Sequence, residues 1–177
     1  KRIVAIGRYE PQKGYDRLID AFALLANEHP DWDLVIIGDG AERPRLEEQL
    51  RRLRRESRIE LKPTTPDVFA ELAASHVMAF PSHYEGFPNA LGEGLAAGLP
   101  TVGYHGVSGV EELIVHGKTG LLVEEKTGAI GFAQALSVLM SRADLRVQLG
   151  GEAQQHVRQW APERIFALWD DAFAEAV

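Results

Sequence analysis

The feature of this sequence that most constrains its fold is a regular alternation of two kinds of segment. Short apolar runs bounded by Gly, Pro or Asp alternate with longer stretches of helical periodicity. The apolar runs predict six strands, at residues 2–7, 33–38, 58–61, 76–81, 101–104 and 120–123. Because consecutive strands joined through helices run parallel in one sheet, the alternation predicts an α/β fold.

The stretches between the runs are typical of helices that pack one face on a sheet. Leu18, Phe22 and Leu25 share one apolar stripe of the first helix. Further helices are predicted at residues 43–55, 68–74, 88–97, 129–140, 143–159 and 162–176. Pro88 at a first helical position and Gly98 after the last turn mark the ends of one of them. We therefore expect a Rossmann-like, doubly wound, six-stranded parallel sheet with helices on both faces, in the strand order 3-2-1-4-5-6.

Length and charge exclude several classes of protein. The chain has 177 residues, enough for one core and too few for two full domains, so residues 1–177 are predicted to form a single domain. There are 19 Lys and Arg against 26 Asp and Glu, a formal charge of −7, so nucleic acid is not an expected partner. Cysteine is absent, which fits a reducing compartment, and we expect a cytoplasmic protein.

The beginning of the chain carries its own prediction. Lys1 and Arg2 lead directly into an apolar run that is too short for a signal peptide or a membrane span. A start inside a strand favours a chain cut at a domain boundary, with an N-terminal partner domain missing.

Two loops of the predicted sheet are expected to form a ligand site. In this strand order ligands bind beyond the carboxyl ends of strands 1 and 4, where the winding reverses. The first loop, residues 7–14, brings Arg8 and Lys13, and the second, residues 81–89, leads into a helix. The free amides of a helix N-terminus carry about half a positive charge and bind phosphate well. Arg8, Lys13 and this helix end are therefore predicted to converge on one anion site.

The strongest motif is a pair of glutamates, Glu85 and Glu93, on either side of that helix start. A diphosphate on the helix end would place Glu85 beside the group on its outer phosphate and Glu93 beside a ribose. Since carboxylates accept hydrogen bonds from vicinal hydroxyls, the pair predicts two hydroxyl-binding groups around a phosphate site. Helix capping and dipole stabilisation are the alternative roles.

At these residues the sequence resembles the C-terminal domain of retaining glycosyltransferases of the GT-B fold, family 4. The matching segments are Gly7-Arg8, Lys13-Gly14, residues 36–40, residues 81–88 with Glu93, residues 97–100 and residues 112–123. The resemblance implies the donor-binding half of an enzyme that transfers a sugar from a nucleotide diphosphate sugar to a glycan, lipid or other acceptor hydroxyl. A UDP-sugar is favoured, with a GDP-sugar next, and the N-terminal acceptor domain is absent from this chain.

The resemblance also implies a role for each matching residue. Arg8 and Lys13 would bind the diphosphate and Glu93 the ribose, while Glu85 would hold the donor sugar. Backbone amides of Phe87, Asn89 and Ala90 at the helix start would complete the phosphate site. The remaining donor-binding positions are Leu91 on the helix and Gly38, Asp39 and Gly40 in the loop after strand 2.

The chemistry that the resemblance implies needs no metal and no cofactor beyond the donor. Negative charge grows on the diphosphate as its bond to the sugar breaks, and Arg8, Lys13 and the helix dipole would stabilise that charge. Glu85 is expected to hold sugar hydroxyls in the catalytic site, and no residue is assigned as a nucleophile.

Three segments leave alternatives open. The Gly38-Asp39-Gly40 sequence either approaches a nucleobase or ribose closely or forms a turn ahead of a helix, and Arg43 at the third glycine position excludes a nicotinamide fingerprint. Residues 62–67 lack the glycine usual in the family after strand 3, so the base is undecided. Gly94 stands where relatives often carry Ala, which predicts loose packing in that helix.

Other features suggest weaker hypotheses. Asp31 and Asp33 have a metal-binding spacing, but they precede strand 2, on the edge opposite the crevice, so a turn is favoured. The basic residues 51–55 are favoured as a solvated helix face and leave open a peripheral membrane contact of the whole protein.

The remaining predictions concern histidine, acidic and aromatic side chains. His83 and His105 either line the crevice or lie on the surface, Glu112 either matches the family's acid or caps a helix, and Trp160, Trp169 and Phe173 are expected to pack the last helices. The alternative to an enzyme is a non-catalytic nucleotide-sugar-binding or regulatory module of the same fold.

Overall fold

The computed structural model describes residues 1–55 and 57–175 and contains a parallel sheet of six strands. The strands are β1 (Arg2–Ile6), β2 (Asp33–Ile37), β3 (Ile59–Lys62), β4 (Val77–Phe80), β5 (Thr101–Tyr104) and β6 (Gly120–Val123). Their order is β3-β2-β1-β4-β5-β6, and every neighbouring pair is parallel. The predicted fold class and strand order are confirmed.

Helices join the strands, and most lie where the periodicity predicts them. They are α1 (Tyr15–Leu25), α2 (Arg43–Leu53), α3 (Val68–Ala73), α4 (Asn89–Ala96), α5 (Val110–Leu113), α6 (Gly128–Ser141), α7 (Ala143–Val157) and α8 (Pro162–Glu175). The periodicity missed α5, because four residues are too few to show a helical repeat. Pro88 is the N-cap of α4 rather than its first helical residue, so that helix begins one residue later than predicted. The predicted end of the last helix, at Ala176, lies outside the described residues.

The sheet lies between two layers of helices. Strands β4 and β5 are buried along their whole length, as expected for central strands covered on both faces. Helix α1 packs beside α2 and α6, and α4 packs beside α7. The change of winding direction between β1 and β4 opens a crevice at their carboxyl ends.

The last helix differs from the prediction. Trp160 is partly buried against the core, as expected. Trp169 and Phe173 stack on each other but are 58% and 64% exposed, so the prediction that they pack against other helices was wrong. Helix α8 follows α7, and no described element covers the face of α8 that carries Trp169 and Phe173. No helix in the described part of the chain is long and apolar enough to cross a membrane.

Candidate functional site

Three loops are joined by backbone hydrogen bonds at the carboxyl end of the sheet. The Tyr9 amide in the loop after β1 donates to the Asp39 carbonyl in the loop after β2, at 2.8 Å. The His83 amide in the loop after β4 donates to the Gln12 carbonyl, at 2.9 Å. Residues 7–14 are therefore held between the other two loops, so the floor of the crevice is a continuous piece of backbone.

Close approach of these loops requires glycine at two positions. Gly14 is the N-cap of α1, at φ +65°, and a Cβ there would overlap the Pro81 carbonyl oxygen and lie 3.1 Å from His83 Nε2. A Cβ on Gly38 would overlap the Gly7 carbonyl oxygen. The turn at residues 38–40, which precedes α2, therefore packs on the loop after β1. Its approach to a nucleobase or ribose stays a prediction.

A buried hydroxyl fixes the first loop to two strand ends. Tyr9 Oη lies 2.8 Å from the Ile36 carbonyl oxygen and 2.9 Å from the Lys62 carbonyl oxygen. Burial raises the pKa of Tyr9 to about 12, and the Arg43 guanidinium opposes this rise. The hydroxyl therefore stays protonated at neutral pH and ties the first loop to β2 and β3.

One ion pair dominates the crevice. Lys13 Nζ lies 2.6 Å from Glu85 Oε1, and these side chains are only 13% and 9% exposed. The Lys13 ammonium also lies 5.5 Å from the centre of the Phe80 ring at the end of β4. The two loops that sequence reasoning selected are thus brought together through Lys13 and Glu85, immediately before α4.

Arg8 occupies a different environment. Its side chain is exposed and makes no ion pair with any residue that the structure describes. Arg8 lies two residues after the end of β1, and a guanidinium without an ion pair in the described chain can bind an anion. The convergence of Arg8 with Lys13 on one anion stays a prediction.

The start of α4 offers fewer free amides than the sequence predicts. Pro88 has φ −83° and ψ 80°, close to an inverse γ-turn, and the Asn89 amide donates to the Phe87 carbonyl at 3.1 Å. The Leu91 amide donates to the Pro88 carbonyl at 3.0 Å. Within the described chain, the Phe87 and Ala90 amides have no acceptor and remain available to an anion.

The structure defines the local environment of three residues of α4. The turn uses the Asn89 amide, and the phosphate contact of Asn89 stays a prediction. The side chain of Leu91 is fully buried in the core, and the place of Leu91 at the donor site stays a prediction. Gly94 is also buried, and a Cβ there would overlap the Met78 sulfur, so this part of the helix is tightly packed rather than loose.

Glu93 borders a cavity on one side of α4. The residue is half-buried and makes no ion pair within the described part of the chain. The cavity has a volume of about 700 Å³ and is lined by Phe69, Phe87, Asn89, Gly92, Glu93, Ala96, Leu113, Gln154, Val157, Arg158, Trp160, Ala161 and Pro162. A free carboxylate at such a wall can accept hydrogen bonds from ligand hydroxyls.

Sequence reasoning missed Glu125, which anchors the loop that carries Glu85. Glu125 Oε1 lies 2.8 Å from His83 Nδ1 and 3.3 Å from Arg17 Nη1. The His83 ring also stacks on Tyr104, with ring centres 5.9 Å apart. His83 is thus a partly buried anchor at the crevice. Glu125 follows the end of β6 by two residues and His83 follows the end of β4 by three, so both lie at the carboxyl end of the sheet. This placement is the sequence signal that could have identified the pair.

The other predicted polar residues have local partners. His105 pairs with Glu111, whose Oε1 also accepts a hydrogen bond from the Gly106 amide at 2.8 Å. Glu111, rather than Glu112, therefore orders the turn before α5. At the opposite edge of the sheet, Asp31 pairs with Lys1 and Asp33 with Arg58. Among residues 1–55 and 57–175, no three His, Asp or Glu side chains form a cluster that could hold a metal ion.

Comparison with known proteins gives consistent matches along the chain. The family model described as glycosyl transferases group 1 matches residues 1–156. An uncharacterized glycosyltransferase of Haemophilus influenzae is 30% identical over 169 residues, which cover 96% of this chain and 48% of that protein. The chain thus spans about half the length of this curated relative.

Two solved structures share the fold. The Anabaena protein HepE in complex with UDP matches 99% of this chain and 49% of its own, with a TM-score of 0.88 and 22% identity. The C-terminal domain of a Francisella tularensis glycosyl transferase group 1 protein matches 90% of this chain and 85% of its own, with a TM-score of 0.80 and 24% identity.

Proposed function

Since this chain belongs to the glycosyl transferases group 1 family, we propose that it is the donor-binding domain of a retaining, family 4 glycosyltransferase. The whole protein would transfer a sugar from a nucleotide diphosphate sugar to an acceptor hydroxyl. The observation that carries the proposal is the position of Lys13, whose ammonium meets Glu85 directly before α4 at the switch point of the sheet. The UDP bound to the HepE structure favours a UDP-sugar as the donor.

Charge at the crevice supports this chemistry. Lys13, the exposed Arg8 and the free amides of Phe87 and Ala90 would face the diphosphate. As the bond between the sugar and the outer phosphate breaks, charge builds on the phosphate oxygens, and fixed positive groups lower the barrier without having to reorganise. No metal ion is needed for this role, because cations of the chain supply it.

The two glutamates would orient the rest of the donor. Glu85 lies beside the proposed outer phosphate site and would accept hydrogen bonds from sugar hydroxyls. Glu93, free of ion pairs within the described chain, would accept them from the ribose. We assign neither residue as a nucleophile, and the acceptor would be held by the half of the protein that this chain does not include.

Binding of nucleotides to this chain tests the proposal. Thermal unfolding is measured with uridine, guanosine and adenosine diphosphates and with their sugars. A ligand at 100 times its Kd stabilises by about 2.7 kcal/mol, which raises the Tm of a domain of this size by about 5–10 °C. Absence of stabilisation by every nucleotide would contradict the proposal.

Matched variants then test the assigned residues. Lys13→Ala and Glu93→Gln should each reduce the ligand-induced shift. Lys126→Ala, at an 82% exposed lysine, and Glu48→Gln, on the exposed face of α2, should leave it unchanged. If both site variants respond like their controls, the site is misplaced.

Turnover separates an enzyme from a non-catalytic binding module. We expect the chain alone to bind the donor without transferring sugar, because the acceptor side is missing. Joining it to an acceptor domain should restore transfer of a radiolabelled sugar, whereas a binding module would bind nucleotide and transfer none.

A further inference from the structure

The cation that the proposed diphosphate site requires is already paired with an anion of the chain. Lys13 Nζ lies 2.6 Å from Glu85 Oε1. Both side chains are largely shielded from water, at 13% and 9% exposure. A diphosphate that binds Lys13 must therefore displace the Glu85 carboxylate from this contact or share the ammonium with it.

Displacement leaves the carboxylate in need of new partners. A buried anion without hydrogen-bond donors is strongly destabilising, so the free energy of binding depends on what the incoming ligand offers to Glu85. A nucleotide sugar offers hydroxyl donors next to its outer phosphate. A nucleoside diphosphate without sugar offers none, and its terminal phosphate carries about −1.5 to −2 charges at neutral pH.

We propose that Glu85 selects the sugar-bearing nucleotide over the bare nucleoside diphosphate by competing with the phosphate for Lys13. The inference rests on the proposed donor site and goes beyond a hydroxyl contact. Before the donor binds, the carboxylate would neutralise the ammonium, and with donor bound it would exchange the ammonium for sugar hydroxyls. After transfer, the leaving diphosphate faces an unpaired like charge, which favours its release.

Nearby groups limit the other partners that the Lys13 ammonium can find. The Phe80 ring lies on one side of the Lys13 ammonium. Glu125, which follows β6, is engaged with His83 and Arg17. Arg8 is exposed and makes no ion pair with the described residues, so it can bind the diphosphate without breaking an existing ion pair.

The variant Glu85→Gln tests the selection, because it removes the charge and keeps the shape. Isothermal titration compares UDP with UDP-glucose, or GDP with GDP-mannose if guanine nucleotides bind more tightly. We expect the variant to bind the bare diphosphate about tenfold more tightly, a change equivalent to roughly 1.4 kcal/mol. Affinity for the nucleotide sugar should rise less or fall. Glu48→Gln, which removes an exposed pair with Arg51 on α2, is the matched control and should change neither affinity.

The outcomes separate this inference from the proposed function. If the wild-type chain binds nucleotides but the variant binds bare diphosphate no more tightly, selection by Glu85 is wrong and the donor site stands. An equal gain for both ligands would also overturn the selection, since it would show plain charge repulsion. If neither protein binds any nucleotide, both proposals fail.

A measurement on the unsubstituted protein covers the case in which the variant folds poorly. The chain has five lysines, so their side-chain ammonium signals can be resolved by ¹⁵N NMR and that of Lys13 assigned by its loss in Lys13→Arg. We expect a protected Lys13 signal in the empty protein and a clear shift when UDP is added. A Lys13 signal that exchanges as fast as that of exposed Lys126 would show that the pair does not form in solution and would overturn the inference.

Discussion

Replacement of Gly14 by Ala tests how closely the two ligand-binding loops pack. Gly14 combines a left-handed φ of +65° with a neighbouring carbonyl that a Cβ would overlap. The left-handed conformation costs an L-residue about 1–2 kcal/mol. To restore an ordinary C···O separation of about 3.3–3.6 Å, the loop after β4 must move by about 1 Å, and such overpacking costs about 1–3 kcal/mol.

The two contributions can be separated with a matched glycine. Gly117 has φ +74° and no atom within 4 Å of the position of a Cβ, so Gly117→Ala isolates the conformational cost. We expect Gly117→Ala to lower the free energy of unfolding by about 1–2 kcal/mol and Gly14→Ala by about 2–5 kcal/mol. Urea unfolding, with the slope compared between proteins, measures both.

Ligand binding gives a second measure of the same contact. Moving the loop after β4 shifts Glu85 and the start of α4 relative to Lys13, so Gly14→Ala should weaken nucleotide binding by tenfold or more, while Gly117→Ala should not. If Gly14→Ala and Gly117→Ala lose equal stability and bind nucleotide equally, the loops are not in tight contact and the geometry of the site is wrong.

Three further substitutions probe the framework of the site. Tyr9→Phe removes the hydroxyl shared by the Ile36 and Lys62 carbonyls and should lower the free energy of unfolding, measured in urea, by about 1–3 kcal/mol. Because the pKa of Tyr9 is raised from 10.0 to about 12, the stabilisation by this hydroxyl is complete below pH 10 and is lost as the pH rises towards 12. The variant should therefore lose less stability over this pH range than the wild type. Equal alkaline loss in both proteins would refute this role. Glu125→Gln should cost no more than about 1 kcal/mol, because the side chain is 48% exposed, yet weaken nucleotide binding several-fold by freeing His83; unchanged affinity in a titration would refute the anchoring. Leu91→Ala should destabilise by about 2–5 kcal/mol as a core truncation, and a loss of nucleotide affinity without loss of stability would return Leu91 to the ligand site.

Much of the fold could be predicted from the sequence because its signals are local. Apolar runs such as Asp33–Ile37, closed by Gly38, are visible without any knowledge of their neighbours. The strand order then placed the loops with Lys13 and Glu85 at one edge. Helix α5 escaped detection because a four-residue helix has no period. The γ-turn that uses the Asn89 amide was not visible in the sequence because it depends on the angles at Pro88.

The chemistry of single side chains was less predictable than the fold. Glu85 could be predicted as a hydroxyl acceptor from its residue type and position, but its ion-pair partner Lys13 lies 72 residues away. Glu125 and His83 are 42 residues apart and gave no joint pattern. Trp169 and Phe173 have helical spacing typical of packing residues, yet the fold leaves them exposed.

By itself the sequence determined the sheet, the direction of its strands and the edge at which a ligand site would form, because periodicity and Gly or Pro boundaries act over a few neighbouring residues. Only the tertiary structure decided that Lys13 is held by Glu85, that Tyr9 and Glu125 fix the loops, and that Leu91 belongs to the core. These contacts join loops from different strands, and their distances depend on register and on close backbone packing, which no local pattern records.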